Sequence, residues 1–353
     1  MVRGMQAVQV VRHGAPTEAI ALSEVPLPDV FPGAVRIGVS AASLNFGDIA
    51  RCRGGLASVM AQPPFTLGMD VCGVVDAAGE GAEEWLGRRV VGITMMAIGG
   101  IAEAALAPVT SVFDAPRELD DAQAAAFTLP FHVGYLALHR RARLQAGETL
   151  LVIGGASGVG TAAIQLGVAA GAEVIAVAGG AEKGRLCREL GAALVIDHTT
   201  DDLFDRVMEH TVGRGAEVVC DLVGGAQTET AWTCVAREGR YLPVGFNDDP
   251  DGGMTGRPLR KIAMGNFSVL GVLLAYTELP PELRRFGLNP FPPATGGEVH
   301  IALCELISRG LIRPVVGRRI RMDEVGAALE DHEQRRTMGR TVVEIQGSSG
   351  ARG

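Results

Sequence analysis

Cysteine is scarce in this chain, and no two cysteines have the spacing of a metal-binding or redox pair. No Cys-x-x-Cys occurs, so a zinc lobe held by closely spaced thiolates is not expected. We predict small, reduced core residues instead. The six cysteines are Cys52, Cys72, Cys187, Cys220, Cys234 and Cys304.

The chain also has no excess of basic residues and no long apolar run. Lys and Arg total 32 against 40 Asp and Glu, which gives a net charge of −8. This balance disfavours nucleic acid as a partner. No apolar run approaches the ~20 residues of a membrane span, and the first residues lack an apolar signal core. We therefore expect a cytoplasmic protein without a membrane or nucleic-acid partner.

Glycine, by contrast, is abundant, with 48 residues in 353. The most informative glycines follow the apolar run 150–153 and precede the small-residue segment 161–170. This order predicts a buried strand, a tight turn and a helix, whose N-terminus suits a dinucleotide pyrophosphate. The predicted cofactor-binding residues of the turn are Gly155, Ala156, Ser157, Gly158, Val159 and Gly160.

The pattern of apolar residues divides the chain into two domains. The first ~120 residues carry short Val/Ile runs broken by Gly and Pro, which indicates a β-rich domain. A helix is predicted over Ala122–Leu138, and strands then alternate with helices to the apolar run Phe267–Leu274. This alternation predicts an α/β fold with a doubly wound parallel sheet. We assign residues 126–274 to the cofactor domain, and 1–125 with 275–353 to a discontinuous second domain.

Five separate segments together resemble one family, the zinc-free quinone oxidoreductase branch of the medium-chain dehydrogenase/reductase superfamily. The resemblance implies a GroES-like β-rich catalytic domain and a Rossmann cofactor domain, with an active site between them. It also implies hydride transfer from a nicotinamide, and a homodimer formed through the edge strand Phe267–Gly271. The segments are Ala42–Asp48, Leu67–Val74, Gly154–Gln165, Leu190–Ala192 and Met338–Val343.

Two departures from the zinc-dependent relatives indicate that no metal takes part. Asn45 stands where those relatives have a cysteine, and Gly68-Met69-Asp70 stands where they have Gly-His-Glu. Asn and Met do not supply the thiolate and imidazole that zinc prefers. Without a Lewis acid, oxidation of an alcohol is disfavoured. We expect reduction of an electrophilic acceptor, a quinone or similar conjugated carbonyl.

The end of the second strand of the cofactor domain favours NADPH. NAD enzymes place an acidic residue there, about 20 residues past the turn, but positions 177–180 hold none. Gly179 leaves room for a 2′-phosphate, and by the resemblance Lys183 and His198 supply positive charge. Alternatively, Lys183 is a solvated lysine at the start of a helix, and Glu182 argues mildly against phosphate.

By the resemblance, Asn45 and Asp48 are the catalytic residues. Asn45 would donate a hydrogen bond to the acceptor carbonyl and stabilise negative charge as hydride arrives. Asp48 would orient water or ribose, or relay a proton. The alternative for Asp48 is a helix cap in the sequence Asn-Phe-Gly-Asp.

The remaining site predictions concern strand ends and apolar side chains. Arg340 would contact the cofactor, or alternatively it would only begin an exposed strand. The apolar residues named below would line the substrate pocket, or alternatively they would pack in the core. The further predicted cofactor contacts are Val223, Gly245, Phe246, Asn247 and Arg340. The predicted pocket residues are Leu56, Met69, Met95, Met96, Phe131 and Leu274.

Three functions stay open at this point. The first is an NADPH-dependent quinone reductase. The second is a reductase of α,β-unsaturated ketones or thioesters, because Leu44–Asp48 resembles the enoyl reductase domains of polyketide synthases; however, Phe246 stands where those domains carry a lysine. The third is a non-catalytic NADPH-binding protein.

Overall fold

The computed structural model describes residues 4–55, 62–245 and 260–345, which form two units. One unit comprises Met1–Leu129, Ala275–Cys304 and Pro314–Gly353, and the other comprises Pro130–Leu274 and Glu305–Arg313. The predicted boundaries at 125/126 and 274/275 lie close to this division, but the segment Glu305–Arg313 was expected in the other unit. In the described chain, no helix has the length and apolar character of a membrane span.

Strands account for most of the first unit and for the centre of the second. The strands are β1 (Gly4–Val10), β2 (Ile20–Pro26), β3 (Ala34–Ser43), β4 (Phe65–Thr66), β5 (Asp70–Ala78), β6 (Arg89–Ile93), β7 (Ala104–Pro108), β8 (Val112–Asp114), β9 (Thr149–Ile153), β10 (Glu173–Val177), β11 (Leu194–Ile196), β12 (Ala216–Asp221), β13 (Val235–Pro243), β14 (Ser268–Val269), β15 (Val316–Ile320) and β16 (Arg340–Glu344).

The helices range from one turn to four. They are α1 (Pro16–Ala19), α2 (Phe46–Arg53), α3 (Asp121–Ala125), α4 (Thr128–Tyr135), α5 (Gly158–Ala169), α6 (Ala181–Glu189), α7 (Leu203–His210), α8 (Gln227–Thr233), α9 (Arg260–Gly265), α10 (Pro293–Ser308) and α11 (Val325–Glu333).

Two mostly antiparallel sheets build the first unit. The larger sheet runs β15-β16-β3-β5-β6-β8, with β7 also paired to β3, and the smaller runs β2-β1-β4. Alternating apolar residues of β3 and β5, such as Ile37, Val39, Val71 and Val75, are buried in one hydrophobic core. This packing confirms the β-rich unit that the short Val/Ile runs predict.

A six-stranded parallel sheet forms the second unit, in the order β11-β10-β9-β12-β13-β14. The strand order reverses at β9, because β10 and β11 lie on one side of it and β12 to β14 lie on the other. The carboxyl ends of β9 and β12 are therefore neighbours at this switch point, where doubly wound sheets bind ligands. The doubly wound sheet and its glycine turn after the central strand are thus as predicted.

Two elements differ from the predictions. The helix expected over Ala122–Leu138 is divided into α3 and α4, and a π-helix continues over Leu136–Arg141. The run Phe267–Leu274 contributes only the two-residue strand β14.

The cysteines are core residues, as predicted: five are buried and Cys304 is half-buried. Burial raises the pKa of Cys220 to about 12, so this thiol is not a reactive thiolate.

Candidate functional site

The turn between β9 and α5 is held by its own short-range contacts. Ser157 is the N-cap of α5, and its Oγ accepts a hydrogen bond from the Gly160 N–H at 3.0 Å. A Cβ on Gly160 would lie 2.2 Å from the carbonyl oxygen of Gly154. Only glycine therefore lets the first turn of α5 pack this closely on the loop. The sequence predicted Ser157 as a residue of the cofactor turn but did not reveal its capping role.

The start of α5 keeps donors available for an anion. In the described part of the chain, the N–H groups of Gly158 and Val159 donate to no acceptor. Such unused donors at a helix N-terminus, together with the helix dipole, favour a phosphate. The turn's donor set and its close backbone packing fit a dinucleotide pyrophosphate.

Val223 and Gly245 belong to the same edge of the sheet as this turn. A Cβ on Gly154 would lie 3.2 Å from Val223 Cγ2, and one on Gly245 would lie 2.0 Å from the Leu222 carbonyl oxygen. The structure therefore brings the ends of β9, β12 and β13 together. Phe246 and Asn247, which follow Gly245, lie outside the described residues.

Buried Asp221 fixes this edge, and sequence reasoning did not give it a role. Its Oδ1 accepts hydrogen bonds from the N–H groups of Val223 and Gly224, both at 2.9 Å. Its Oδ2 accepts one from the Tyr241 hydroxyl at 2.5 Å. The carboxylate thus ties two loop donors to a side chain of the neighbouring strand β13.

His198 lies beside the turn that follows β10, and its contact with a 2′-phosphate stays a prediction. A Cβ on Gly179 would lie 2.7 Å from His198 Nε2. Glycine at position 179 therefore leaves space for the imidazole. Lys183 lies half-buried in the first turn of α6, which follows directly.

One acidic residue reaches this turn from the neighbouring strand, and the sequence did not reveal it. Asp197 follows β11, and its Oδ2 accepts a hydrogen bond from the Gly180 N–H at 3.0 Å. Its Oδ1 accepts two more from Thr199, which hold the pKa of Asp197 below its usual value. The absence of an acid at 177–180 therefore does not mean that the turn lacks a negative charge.

In the other unit, Asn45 and Asp48 lie together at the start of α2, and both are buried. Asp48 Oδ2 accepts a hydrogen bond from the Asn45 N–H at 2.8 Å, and Oδ1 lies 3.4 Å from both the Gly68 nitrogen and Arg51 Nη1. This is the capping arrangement that was the alternative for Asp48. Burial raises the pKa of Asp48, and Arg51 opposes the shift.

Asn45 also belongs to a buried polar cluster with Ser43, Asp70 and Arg340. Arg340 Nη2 lies 2.6 Å from Ser43 Oγ and 3.0 Å from Asp70 Oδ2. Burial raises the pKa of Asp70, and the charge of Arg340 opposes that shift. Arg340 is 5% exposed, so it does not begin an exposed strand; its contact with the cofactor stays a prediction.

The amide of Asn45 uses its donors within the protein and leaves its acceptor unused. Nδ2 donates to the Ser43 carbonyl oxygen at 3.1 Å and to Asp70 Oδ1 at 2.7 Å. Oδ1 is buried without a hydrogen-bond partner among the described residues. In the capping box that begins α2, this oxygen faces the Asp48 N–H, which donates to the Asn45 carbonyl oxygen at 3.0 Å.

The predicted pocket residues are distributed over both units. Met69 and Met95 are half-buried, and the Thr94 N–H donates to the Met69 carbonyl oxygen at 2.8 Å, which brings the two segments together. Met96 is exposed and has a left-handed backbone, with φ 52°. Phe131 is buried and Leu274 half-buried. Leu56 lies outside the described residues.

Among the described residues, no group of three or more His, Cys, Asp or Glu side chains is placed so that it could hold a metal ion. Asn45 contributes an amide beside Asp48 and Asp70, and Met69 precedes Asp70 in the chain. This donor set does not resemble the thiolate and imidazole ligands of a zinc site.

Comparison with known proteins agrees with this geometry. The family model described as "Alcohol dehydrogenase GroES-like domain" matches residues 31–117. The model described as "Zinc-binding dehydrogenase" matches residues 158–287. A quinone oxidoreductase of Lama guanicoe is 30% identical over 93% of this chain and 94% of its own.

Two further similarities bear on cofactor and substrate. A mycobacterial structure solved in complex with NADPH has a TM-score of 0.82 and 25% sequence identity, covering 97% of this chain and all of that one. The phthioceranic/hydroxyphthioceranic acid synthase of Mycobacterium tuberculosis is 35% identical over 62% of this chain, which corresponds to 10% of the synthase.

Fold, site and relatives together define an NAD(P)-binding oxidoreductase built from a GroES-like unit and a Rossmann unit. The chain belongs to the medium-chain dehydrogenase/reductase superfamily, within its quinone oxidoreductase branch. The family resemblance of the sequence motifs is thereby confirmed.

Proposed function

We propose that this protein uses NADPH to reduce a quinone or similar conjugated carbonyl compound without a metal ion. The observation that carries the proposal is the glycine turn, with its free N–H groups at the switch point of the sheet. The similarity to quinone oxidoreductases supports the acceptor class, and the similarity to a structure containing NADPH supports the cofactor.

The residues of the turn would hold the cofactor. Gly158 and Val159 would donate their N–H groups to the pyrophosphate, while Ser157 keeps the first turn of α5 in place. NADPH, when bound, supplies the hydride. Since no Lewis acid polarises the acceptor, the acceptor must already be electrophilic, as a quinone is.

His198 and Lys183 would select NADPH over NADH. Both lie at the turn after β10, and a 2′-phosphate there would gain charge-assisted hydrogen bonds. Asp197 opposes this preference with its negative charge, but its oxygens already bind Gly180 and Thr199. We therefore propose that Lys183 and His198 dominate the choice of cofactor.

Reduction of a carbon–carbon double bond conjugated to a ketone or thioester is the second candidate function. The identity of 35% to a segment of the mycobacterial synthase favours it, as does the motif Leu44–Asp48. It uses the same cofactor and hydride, but it requires a proton for the α-carbon. Buried Asp48 is held by three donors, so it is a poor candidate for that proton source.

A parallel turnover assay distinguishes the candidates. The purified protein is given NADPH with either a simple benzoquinone or an unsaturated ketone, and products are identified by mass spectrometry. Rapid NADPH loss with formation of hydroquinone supports the proposal. A saturated ketone as the main product supports the second candidate, and tight NADPH binding without turnover of either supports the non-catalytic alternative.

Substitution of Lys183 tests the proposed cofactor choice. We expect Lys183→Ala to raise the KM for NADPH about tenfold, because a charge-assisted hydrogen bond is lost, and to leave the KM for NADH unchanged. Arg309→Ala is the matched control, since Arg309 is exposed and pairs with Glu305 at 4.0 Å. Equal changes for both cofactors would contradict the assignment.

A further inference from the structure

The turn after β10 is held by a carboxylate from the neighbouring strand. The Ala178 N–H donates to the Ile196 carbonyl oxygen at 3.0 Å, so the segments 178–180 and 197–199 run side by side. Gly180, with φ 84° and ψ 157°, is the N-cap of α6, and glycine has no side chain with which to cap a helix. Asp197 Oδ2 accepts the Gly180 N–H at 3.0 Å. This carboxylate therefore ties the start of α6 to the end of β11.

Asp197 is also fixed by the segment to which it belongs. Its Oδ1 accepts hydrogen bonds from the Thr199 hydroxyl at 2.7 Å and from the Thr199 N–H at 3.0 Å. Its own N–H donates to Asp201 Oδ2 at 2.9 Å. The two Thr199 donors lower the pKa of Asp197, so its carboxyl group is ionised at neutral pH. The negative charge is thus stationary, and the side chain is only half-buried, so a ligand can approach it.

The turn carries charges of both signs at the place where a doubly wound sheet receives the adenosine ribose of a dinucleotide. Lys183 lies in the first turn of α6, and a Cβ on Gly179 would lie 2.7 Å from His198 Nε2. Glu182 and Asp197 supply the negative charges. Exposed Glu182 can turn away into water. Asp197 cannot, because three hydrogen bonds hold its carboxylate.

We infer that Asp197 is the residue that limits the preference of this protein for NADPH over NADH. The inference rests on the proposed function, in which Lys183 and His198 attract a 2′-phosphate at this turn. Two effects of Asp197 oppose that attraction. Its charge repels the phosphate, and its Oδ2 occupies the Gly180 N–H, which is then not available to a phosphate oxygen. A ribose that carries only hydroxyl groups is not repelled in this way.

The same carboxylate stabilises the turn, so stability and NADPH binding depend on it in opposite directions. A hydrogen bond from Gly180 to a carboxylate is stronger than one to a neutral oxygen. Asparagine at position 197 has the same shape and keeps an oxygen for Gly180, but it has no charge and no second oxygen for Thr199. We expect Asp197→Asn to lower the melting temperature and yet to strengthen binding of a 2′-phosphate. A purely structural role would weaken both.

Binding of two adenosine fragments to the whole chain tests the inference without any acceptor. The fragment 5′-AMP represents the adenosine half of NADH, and 2′,5′-ADP represents that of NADPH. Calorimetry gives both dissociation constants for the wild-type protein and for Asp197→Asn. We expect the variant to bind 2′,5′-ADP about threefold to tenfold more tightly, because a fixed like charge is removed, and to bind 5′-AMP with unchanged affinity. Unchanged affinity for 2′,5′-ADP, or equal changes for both fragments, would overturn the inference.

Matched variants separate the charge of Asp197 from the shape of the turn. Glu173→Gln removes one negative charge from the exposed first residue of β10, at the opposite edge of the sheet. Thr199→Val removes one hydrogen bond to Asp197 but keeps the charge. Neither should strengthen binding of 2′,5′-ADP, and a gain in either that equals the gain in Asp197→Asn would overturn the inference. If Asp197→Asn does not fold, Asp197→Ser replaces it, because a hydroxyl also accepts a hydrogen bond.

Salt dependence and the intact cofactors complete the test. The gain from Asp197→Asn should shrink between about 0.02 M and about 0.5 M salt, because ions screen charges near the surface; a gain that does not change with salt would overturn the role of charge. A wild-type protein that prefers NADH, but whose Asp197→Asn variant gains affinity for 2′,5′-ADP, contradicts the proposed cofactor preference and supports the inference. A protein that binds neither the fragments nor the intact cofactors overturns both.

Discussion

Burial changes the pKa of single ionisable residues in this fold, and His300 is an example. His300 is 7% exposed, and its Nε2 lies 2.9 Å from the Asp114 carbonyl oxygen. Its ring stacks on Phe113 with centroids 4.7 Å apart. Burial lowers the pKa of His300, because the imidazolium form would lose its hydration.

This pKa shift predicts that acid destabilises the protein through His300. The unfolded chain binds the proton at the ordinary histidine pKa of about 6.5, and the folded chain binds it only at lower pH. The free energy of unfolding contributed by His300 is therefore present above about pH 6.5 and is lost as the pH falls toward the lowered pKa. Between pH 7.5 and 5, the free energy of unfolding measured with urea should decline less steeply for His300→Gln than for the wild-type protein. Parallel curves for the two proteins would contradict this.

Residue-level prediction from sequence succeeds where the determining contacts are local. The glycines of the turn follow directly from the strand and helix beside them. The partners of Arg340 do not, because Ser43 lies 297 positions away in the chain. The same limit explains why the contact of Asp197 with Gly180 and the occupied donors of Asn45 were missed, since both depend on the packing of neighbouring strands.

At the scale of elements, the position of α5 depends on its contact with the preceding loop. Gly160 lies against the carbonyl oxygens of Gly154 and Gly155, where a Cβ would come within 2.2 Å and 2.6 Å. The contact is with backbone atoms, which cannot rotate away as a side chain does. The helix N-terminus is therefore placed by a single residue without a side chain.

Gly160→Ala should displace the start of α5 and weaken NADPH binding at least tenfold, because a shift of the helix misplaces the N–H groups of Gly158 and Val159. We expect a lower melting temperature as well. Gly297→Ala is the matched control in helix α10, since a Cβ there meets nothing within 4 Å. Fluorescence titration with NADPH measures the effect, and equal affinities for both variants would argue against the proposed pyrophosphate site.

At the scale of the whole molecule, the element order was predictable from the residues, whereas the dimer is expected from the family resemblance and stays a prediction. Alternating apolar runs indicated the strands β9 to β13, because each is buried and bounded by glycine or a polar turn. The edge strand β14 is shorter than the apolar run around it. In the described sheet it lies at the outer position beside β13, where unpaired backbone groups can bind another strand.

We expect two copies of the chain to pair through this edge. Light scattering after gel filtration should give twice the 36.8 kDa chain mass, and Val269→Arg should shift the protein toward the monomer by placing a charge in the interface. Val212→Arg is the control, because Val212 is 82% exposed. A monomeric wild-type protein, or a dimer unaffected by Val269→Arg, would contradict the predicted interface.

The most direct test of the account is the rate of NADPH oxidation by a simple quinone after exhaustive dialysis against a chelator. The account predicts undiminished turnover, with hydroquinone as product and NADPH preferred over NADH, because the proposed reaction uses a free helix N-terminus and no metal. Loss of activity that added zinc restores, or a preference for NADH, would contradict it.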